Sequence, residues 1–308
     1  MNLKKPKFWD YKKPNLLAFI LLPLAFLVRI ISFLKIKSKK ENLNIKTICI
    51  GNIYVGGTGK TSLCIQLNEI LKKRNIKTCF IKKFYNNQAD EQILLSNRGK
   101  LFLDKKRINA VKKAVSENYE VAIFDDGLQD KTINYDKTFV CFNTINWIGN
   151  GMTIPAGPLR ENISTIKKYN HIFINGNMEN LEVLKQKILN INPKIVIHVG
   201  RYKIQNLNEF KLNENYLVFS GIGNHETFVS MLKEYGIKVI KDFEYPDHYQ
   251  YSVDDIENIL KKANILNCNI ITTEKDYIRI NFYNKNKIKF IKSELKIIDE
   301  EKLIKSIL

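Results

Sequence analysis

The chain has few cysteines, and their arrangement excludes a disulfide framework. Only five of its 308 residues are cysteine, an odd number, and no two of them form a C-x-x-C pair. Each lies in or beside an apolar run, where a free thiol behaves as a small buried hydrophobe. The pattern predicts thiols that stay reduced, and hence a reducing compartment. The positions are Cys49, Cys64, Cys79, Cys141 and Cys268.

Acidic residues are scarce beside basic ones, 31 against 50, which leaves a net charge of +19. Such a positive balance makes nucleic acids, anionic lipids and phosphorylated molecules candidate partners. The lysines are nevertheless spread along a chain rich in Lys, Asn and Ile, and no RNP, zinc-finger or basic-region pattern is present. Internal repeats and low-complexity tracts are also absent. We therefore expect no nucleic-acid partner.

The longest apolar run is too short for a clear membrane span. Residues 16–28 read LLAFILLPLAFLV, and Arg29 separates them from IISFL, which ends at Leu34. The whole stretch is marginal against the roughly 20 residues that a span needs, and no small-residue cleavage site of a signal peptide follows it. We expect residues 1–40 to form a membrane anchor that dips into or lies along the cytoplasmic leaflet, with its basic flanks attracted to anionic lipids. The alternative is a helix buried against the protein. The flanking lysines are Lys4, Lys5, Lys7, Lys12, Lys13, Lys35, Lys37, Lys39 and Lys40.

Beyond residue 40, short β-branched runs alternate with helical segments such as 61–74. This order predicts a mostly parallel sheet wrapped by helices, followed by a second, smaller α/β unit. A polar stretch near residues 200–212 predicts a boundary between domains at 41–205 and 206–308. The predicted strands are 46–53, 77–81, 120–125, 137–142, 171–175 and 194–199, then 216–221, 236–245 and 267–273, with helices near 226–235 and 253–263 in the second unit.

The segment CIGNIYVGGTGKTSL, residues 49–63, resembles a phosphate-binding loop but lacks its first glycine. The pattern G-x-x-x-x-G-K-[ST] requires glycine where this chain has Tyr54. The loop follows an apolar strand and opens a helix, which is the context that this kind of site needs. Lys60 would reach the terminal phosphates and Thr61 would bind Mg²⁺. The backbone N–H groups expected to wrap the phosphates are those of Gly56, Gly57, Thr58 and Gly59.

Two carboxylates follow a later apolar strand, in EVAIFDDGLQD. Asp125 and Asp126 end that strand, at the edge of the sheet that the phosphate-binding loop also occupies. An Asp-Asp-Gly sequence alone could be a plain turn. Together with the loop on an earlier strand, it predicts the Mg²⁺-binding acids.

Several short motifs follow one another along the chain: GNIYVGGTGKT, ADEQILL (89–95), FDDGLQ (124–129), GPLRE (157–161), SGIGNHETF (220–228), YPDHYQY (245–251) and TTEKDYIRI (272–280). As an ordered set they resemble the tetraacyldisaccharide 4′-kinases, the lipid A 4′-kinases of Gram-negative bacteria. The likeness extends from the N-terminal hydrophobic segment to about residue 280, and the family's loop also lacks the first glycine.

This resemblance implies a P-loop NTPase-type α/β fold and a membrane-surface kinase at the cytoplasmic face of the bacterial inner membrane. ATP, with Mg²⁺, would phosphorylate the 4′-hydroxyl of a tetraacyldisaccharide 1-phosphate, a lipid A precursor, to give lipid IVA. By the same resemblance, Asp90 is the catalytic aspartate and works with His248. Glu91 and Glu161 match acids near the metal, and Arg160 matches a phosphate contact of the substrate.

The sequence also departs from the family pattern. S-R-G-Y-G is replaced in a shortened IKKFYNNQADEQ, where Gln92 stands for proline, so substrate contacts from this loop stay open. Ser62 replaces a common proline and Asp130 a common histidine. His171, His198 and His225 are expected to be structural.

Two other classes of protein are weighed against the kinase. A membrane-associated switch ATPase of the partition type would have lysine where Val55 lies, and a switch GTPase would have [NT]-K-x-D where this chain has TTEKD. A soluble small-molecule kinase would not need the N-terminal apolar segment.

Overall fold

Two sheets organise the chain. The computed structural model describes residues 5–34, 41–176, 180–280 and 285–308, and the lysine flanks at 4 and 35–40 lie outside these ranges. Within them the strands are β1 Lys46–Gly51, β2 Thr78–Lys83, β3 Leu101–Asp104, β4 Val121–Asp125, β5 Lys137–Asn143, β6 His171–Asn175, β7 Val196–Ile204, β8 Asn215–Ser220, β9 Lys238–Glu244, β10 Asn269–Thr273, β11 Ile288–Ile291 and β12 Ser293–Ile297.

Helices connect most of the parallel strands. In chain order the α-helices are α1 Leu16–Ile20, α2 Leu22–Leu34, α3 Lys60–Lys72, α4 Ala89–Arg98, α5 Arg107–Ser116, α6 Leu181–Ile191, α7 His225–Glu234, α8 Val253–Ile265, α9 Glu274–Arg279 and α10 Glu300–Ile307. Short 3₁₀ turns cover Lys7–Asp10, Asn86–Gln88, Ile163–Lys168, Leu207–Glu209 and Lys285–Lys287.

The larger sheet has eight strands in the order β12-β7-β6-β5-β1-β4-β2-β3. All neighbours are parallel except β12, which runs antiparallel to β7. Apolar side chains of α5 and α6 cover one face, and those of α3, α4 and α10 cover the other. Burial on both faces explains why these strands read as continuous apolar runs. The predicted mostly parallel α/β sheet is confirmed.

The smaller sheet has four parallel strands in the order β11-β10-β8-β9. Side chains of α7 pack on one face and those of α8 on the other. The predicted unit at 206–308 does not coincide with this sheet, because β12 and α10 return to the larger one. Leu295, Leu303 and Ile307 join the core around α3, and this burial explains the return.

The N-terminal apolar stretch forms two short helices, α1 and α2. Asn15 caps α1 by accepting a hydrogen bond of 3.1 Å from the backbone N–H of Ala18. In the described residues, no helix is long and apolar enough to cross a membrane. Most large apolar side chains of the two helices are exposed, Leu16 to 75% and Phe26 to 63%. This exposure argues against the alternative of a buried helix.

The segment before α1 packs against the rest of the protein. Trp9 donates an indole hydrogen bond of 3.1 Å to the carbonyl of Pro155, and its own carbonyl accepts one of 2.9 Å from the N–H of Asn150. These contacts fix where α1 begins relative to the loop that leads to Arg160.

Candidate active site

The phosphate-binding loop connects β1 to α3, as its sequence context predicts. Gly59 precedes α3 with φ 79°, a left-handed conformation that favours glycine. A Cβ atom there would collide with the Asn175 amide and lie 2.8 Å from the hydroxyl of Tyr202. Asn52 donates hydrogen bonds of 3.1 Å to the Gly56 carbonyl and 2.9 Å to the Thr58 hydroxyl. Neighbouring side chains therefore hold the loop in shape.

The smaller sheet also touches this loop. A Cβ atom at Gly57 would lie 3.0 Å from the backbone N of Asn224 and 3.0 Å from the carbonyl carbon of Gly223, in the turn after β8. Glycine at position 57 therefore permits a close approach between the two backbones. The turn that begins α7 is thus part of the wall around the loop.

Tyr54, at the position of the missing first glycine, ties the loop to the N-terminal segment. Its hydroxyl donates a hydrogen bond of 2.6 Å to Oδ1 of Asp10, and Lys5 contacts both groups at 2.8 and 3.0 Å. The Tyr54 side chain is buried, and its ring packs beside Gly56. The residue that departs from the common loop pattern thereby connects the loop to the 3₁₀ turn Lys7–Asp10, which precedes α1.

The two acids predicted at the end of β4 lie beside the start of α3. Asp125 is fully buried, and its Oδ2 atom accepts a hydrogen bond of 3.3 Å from the hydroxyl of Thr61. Asp126 has φ 55° and forms ion pairs with Arg160 at 3.0 Å and with Lys60 at 3.9 Å. Burial alone would raise the pKa of Asp126, but the charges of Lys60 and Arg160 lower it. Both acids therefore face the phosphate-binding loop.

A buried lysine on β2 lies between two of the predicted metal acids. The Lys82 ammonium is 2.7 Å from Oδ2 of Asp125 and 2.8 Å from Oε2 of Glu91, and its side chain is 1% exposed. Lys275 pairs with the other oxygen of Glu91 at 2.7 Å. Burial raises the pKa of Glu91, but Lys275 and Lys82 outweigh it and hold that pKa well below its usual range. Burial lowers the pKa of Lys82, but the charges of Asp125 and Glu91 raise it by more, so the net shift of this pKa is upward.

Asp90 and His248 meet across the two sheets. Asp90 lies at the start of α4, and its Oδ1 atom is 3.2 Å from Nδ1 of His248, which follows β9. Its other oxygen accepts a hydrogen bond of 2.6 Å from Arg279, at the end of α9. Burial would raise the pKa of Asp90, but His248, Arg279 and Lys275 lower it from 3.8 to about 2. Burial would lower the pKa of His248, but its hydrogen bond to Asp90 raises that pKa above 6.5.

Arg279 is itself held by buried groups. It donates hydrogen bonds of 2.9 Å to Oδ1 of Asp276 and 2.6 Å to the carbonyl of Gly221. The same Asp276 oxygen accepts hydrogen bonds from the Tyr251 hydroxyl and the Gly221 N–H, both at 2.9 Å. The charge beside Asp90 is thus fixed by the smaller sheet.

A family model for tetraacyldisaccharide-1-P 4′-kinase matches residues 17–308. A tetraacyldisaccharide 4′-kinase of Pelagibacter ubique (strain HTCC1062) is 58% identical over 303 residues, which cover 98% of this chain and 96% of that protein. The enzyme of the same name from Rickettsia canadensis (strain McKiel) is 33% identical, over 93% of this chain and 91% of that protein. The chain belongs to the tetraacyldisaccharide 4′-kinase family.

A solved structure supports the fold. LpxK from Aquifex aeolicus, crystallised in complex with ATP, superposes with a TM-score of 0.66 and 23% identity, over 95% of this chain and 98% of that chain. The architecture of both sheets is therefore that of a known member of the 4′-kinase family.

Arg160 and Glu161, which the 4′-kinase motifs implicate, belong to one chain of hydrogen bonds that begins at Asp126. Arg160 donates hydrogen bonds to Asp126 and one of 3.3 Å to Gln129. Gln129 in turn donates one of 3.0 Å to Glu161, whose other described hydrogen bonds come from Tyr169. Glu161 is therefore connected to Asp126 through Gln129 and Arg160.

Mg²⁺ fits the pair formed by Thr61 and Asp125. In the described part of the chain, no group of three or more His, Cys, Asp or Glu side chains is arranged to hold a metal by itself. Mg²⁺ in kinases is commonly held by one or two carboxylates together with substrate phosphates. The hydroxyl and carboxylate oxygens 3.3 Å apart are the donor types that it prefers.

The positions where this chain departs from the 4′-kinase pattern have local roles. Gln92 donates a hydrogen bond of 2.7 Å to the carbonyl of Tyr85 and so closes the shortened loop. Asp130 accepts hydrogen bonds from Thr132 and pairs with Arg107 at 3.5 Å. Ser62, in the first turn of α3, lies 3.3 Å from the hydroxyl of Tyr202.

The other histidines lie in structural positions. His171 and His198 are buried with their rings 3.3 Å apart at the nearest nitrogens, and burial lowers their pKa values to about 3 and about 4. His225 is buried between Ser220, at 2.7 Å, and Asp242, at 2.8 Å.

Sequence reasoning missed Lys82, Lys275 and Arg279 as members of this site. The signal for Lys82 is a charged residue that continues the apolar strand TCFI, and the other two lie inside TTEKDYIRI. None of the three has a local pattern that reveals its role, since each contacts an acid that is distant in the chain.

Proposed function

We propose that this chain is an ATP-dependent kinase that phosphorylates the 4′-hydroxyl of a tetraacyldisaccharide 1-phosphate, a lipid A precursor. The observation that carries the proposal is the contact of Asp90 with His248 at 3.2 Å, beside acids that face a phosphate-binding loop. The predicted division at residue 206 assigns the two residues to different units. Closure of the two units over a substrate would complete such a site and exclude water.

Each residue has a role in the transfer. The acceptor oxygen forms a bond to the γ-phosphorus of ATP, the bond from that phosphorus to the bridging oxygen breaks, and ADP leaves. Asp90 orients the hydroxyl and takes its proton, while His248 holds the carboxylate in position. Lys60 and Arg160 neutralise charge on the phosphates. A Mg²⁺ ion on Thr61 and Asp125 would supply further charge stabilisation.

The low pKa of Asp90 defines what kind of base it is. A carboxylate with a pKa of about 2 is ionised at neutral pH but is a weak base. The phosphoryl-transfer transition state is loose, so the acceptor hydroxyl needs orientation more than early deprotonation. We therefore assign Asp90 mainly to positioning the hydroxyl, with proton uptake late in the transfer.

The N-terminal helices are proposed to anchor the enzyme in the cytoplasmic leaflet of the bacterial inner membrane, beside anionic lipids. Support comes from the exposed apolar side chains of α1 and α2, whose area would otherwise face water. Trp9 attaches the preceding segment to Pro155, and the hydrogen bond from Tyr54 to Asp10 attaches it to the phosphate-binding loop. Such an arrangement would hold the site at the height of a lipid headgroup.

Mass spectrometry of lipid extract incubated with the protein, ATP and Mg²⁺ tests the reaction. We expect a gain of one phosphate on the disaccharide, and Lys60→Ala should abolish most of it because the transferred group loses its counter-charge. A switch ATPase or GTPase would instead hydrolyse nucleotide without any lipid product. Nucleotide hydrolysis with unmodified lipid would therefore refute the kinase assignment.

The anchor is tested by substitution and not by deletion, because residues 5–10 also contact the catalytic body. Leu17→Ser with Phe26→Ser leaves Asp10 in place and removes exposed apolar area, so we expect release from vesicles that contain anionic lipid and a raised KM for lipid but not for ATP. Ile265→Ser, which removes an apolar side chain that is 76% exposed at the end of α8, is the matched control. If the double variant still sedimented with the vesicles as the wild type does, at a salt concentration that screens the positive surface, the anchor would be contradicted.

A further inference from the structure

A buried lysine of the chain itself lies between two of the predicted metal acids. Lys82 contacts Asp125 at 2.7 Å and Glu91 at 2.8 Å, whereas Lys60 of the phosphate-binding loop lies 3.9 Å from Asp126. The Lys82 side chain is 1% exposed and that of Asp125 is fully buried. An ion pair this deep exchanges poorly with solvent cations, because both charges are removed from water.

Lys82 uses the same oxygen that the metal would need. Oδ2 of Asp125 accepts from both the Lys82 ammonium and the Thr61 hydroxyl, while Oδ1 has the thiol of Cys64 at 3.8 Å. The oxygens of Glu91 are divided between Lys82 and Lys275. A divalent cation at this pair of acids would have to displace or repel an ammonium group.

The geometry places Lys82 on a rigid element. It is the penultimate residue of β2, whose residues pair with β4 up to Ile81 and Phe124. The next residues along the two strands are Lys82 and Asp125, so the backbone ladder sets their distance. The lysine cannot leave the acids without a change in the sheet or a rotation of its own side chain.

We propose that the Lys82 ammonium is a built-in counter-ion for Asp125 and Glu91, which keeps divalent cations off these acids until a nucleotide supplies its own phosphate oxygens. Lys82 is thus a positioning residue: it acts on the metal acids and not on the substrate. The inference rests on the proposed kinase function only for the statement that Mg²⁺ enters with the nucleotide. The charge relation among the three side chains stands without it.

The test uses the full chain without nucleotide and follows Tm as MgCl₂ is added at constant ionic strength. Lys82→Gln removes the charge but keeps hydrogen-bond donors for both carboxylates, so it is well suited to folding. We expect its Tm to be lower than that of the wild type without Mg²⁺ and to rise as Mg²⁺ is added. The midpoint of that rise should lie on the order of tenfold or more below that of the wild type, because two acids lose a nearby positive charge.

Lys83→Gln is the matched control, since Lys83 is the adjacent strand residue and its ammonium lies 5.2 Å from the ring centroid of Tyr85. Its Mg²⁺ response should equal that of the wild type. Equal responses of Lys82→Gln and the wild type would overturn the proposal and leave a purely structural ion pair.

If Lys82→Gln folds only in buffers that contain Mg²⁺, the cation replaces the ammonium and the proposal is supported. If it fails to fold with and without Mg²⁺, the proposal is overturned. The Tm readout needs no turnover, so a failure of the kinase assay on the wild type is a separate result.

Discussion

Replacing His248 tests how the two sheets complete the candidate active site. His248→Ala removes the ring that lies 3.2 Å from Asp90, and Asp90→Ala removes the carboxylate itself. In the wild type, burial opposes ionisation of Asp90 while His248, Arg279 and Lys275 favour it. The net result is a pKa of about 2 instead of 3.8. At about 1.4 kcal/mol per pKa unit, this corresponds to roughly 2 kcal/mol in favour of the carboxylate.

The size of the Asp90 pKa shift indicates which property of Asp90 the His248→Ala enzyme loses. Arg279 remains 2.6 Å from Asp90, so the carboxylate stays ionised at neutral pH. The lost rate therefore measures orientation of Asp90 and not its protonation. We expect kcat to fall about 10²- to 10⁴-fold, which is about 3–5 kcal/mol of transition-state stabilisation. ATP affinity should be nearly unchanged, since neither residue contacts the phosphate-binding loop directly.

The assay compares kcat and both KM values for the wild type, the two single variants, the double variant and one control variant. The double variant should be little worse than the poorer single variant, because groups that act as a unit are not additive. Asp254→Asn, at an exposed carboxylate in the first turn of α8, is the matched control and should leave kcat unchanged. Multiplied losses in the double variant, or an unaltered kcat for His248→Ala, would show that Asp90 acts alone.

The same pair makes stability depend on pH, with a defined sign. The folded protein raises the pKa of His248, so this stabilisation is fully present below about 6.5 and is lost as pH rises through the folded value. The difference in Tm between the wild type and His248→Gln should therefore be largest near pH 6 and shrink above it. A difference that grows with pH would refute the assigned shift.

Two further predictions concern the phosphate-binding loop. Tyr54→Phe removes the hydroxyl that donates to Asp10 at 2.6 Å, so the free energy of unfolding should fall by about 1 kcal/mol and ATP binding should weaken. Tyr11→Phe, at a half-exposed ring, is the control and should change neither quantity. Calorimetry measures both. Gly59→Ala should lose most ATP binding because its Cβ atom would collide with Asn175. Gly151 has a similar φ of 76°, but the nearest atom to a Cβ there would be 3.6 Å away. Gly151→Ala should therefore cost only about 1–2 kcal/mol of stability and keep the affinity for ATP. Equal ATP affinity in the two alanine variants would remove the collision as the cause.

Local sequence patterns determined the parallel sheet of this protein and the position of its phosphate-binding loop. The alternation of β-branched runs with helical segments predicted the parallel sheet. The strand, glycine loop and helix around Lys60 located the phosphate-binding loop because its chemistry is contiguous in the chain. Asp125 followed from the same logic, since a carboxylate at the end of a parallel strand lies at the edge where the loop lies.

Only the tertiary structure decided which distant residues meet. Asp90 and His248 are 158 residues apart, and their contact depends on how the two sheets pack. In the sequence, Lys82 looks like an ordinary lysine, whereas in the structure the pairing of β2 with β4 buries it beside Asp125. In the sequence, Tyr54 only marks the absence of the first loop glycine, whereas in the structure its hydroxyl donates a hydrogen bond to Asp10. The periodicity of apolar residues predicts which face of a helix or strand is buried, but not which charged residue of another element packs against it. That information exists only in the packing of elements far apart in the chain.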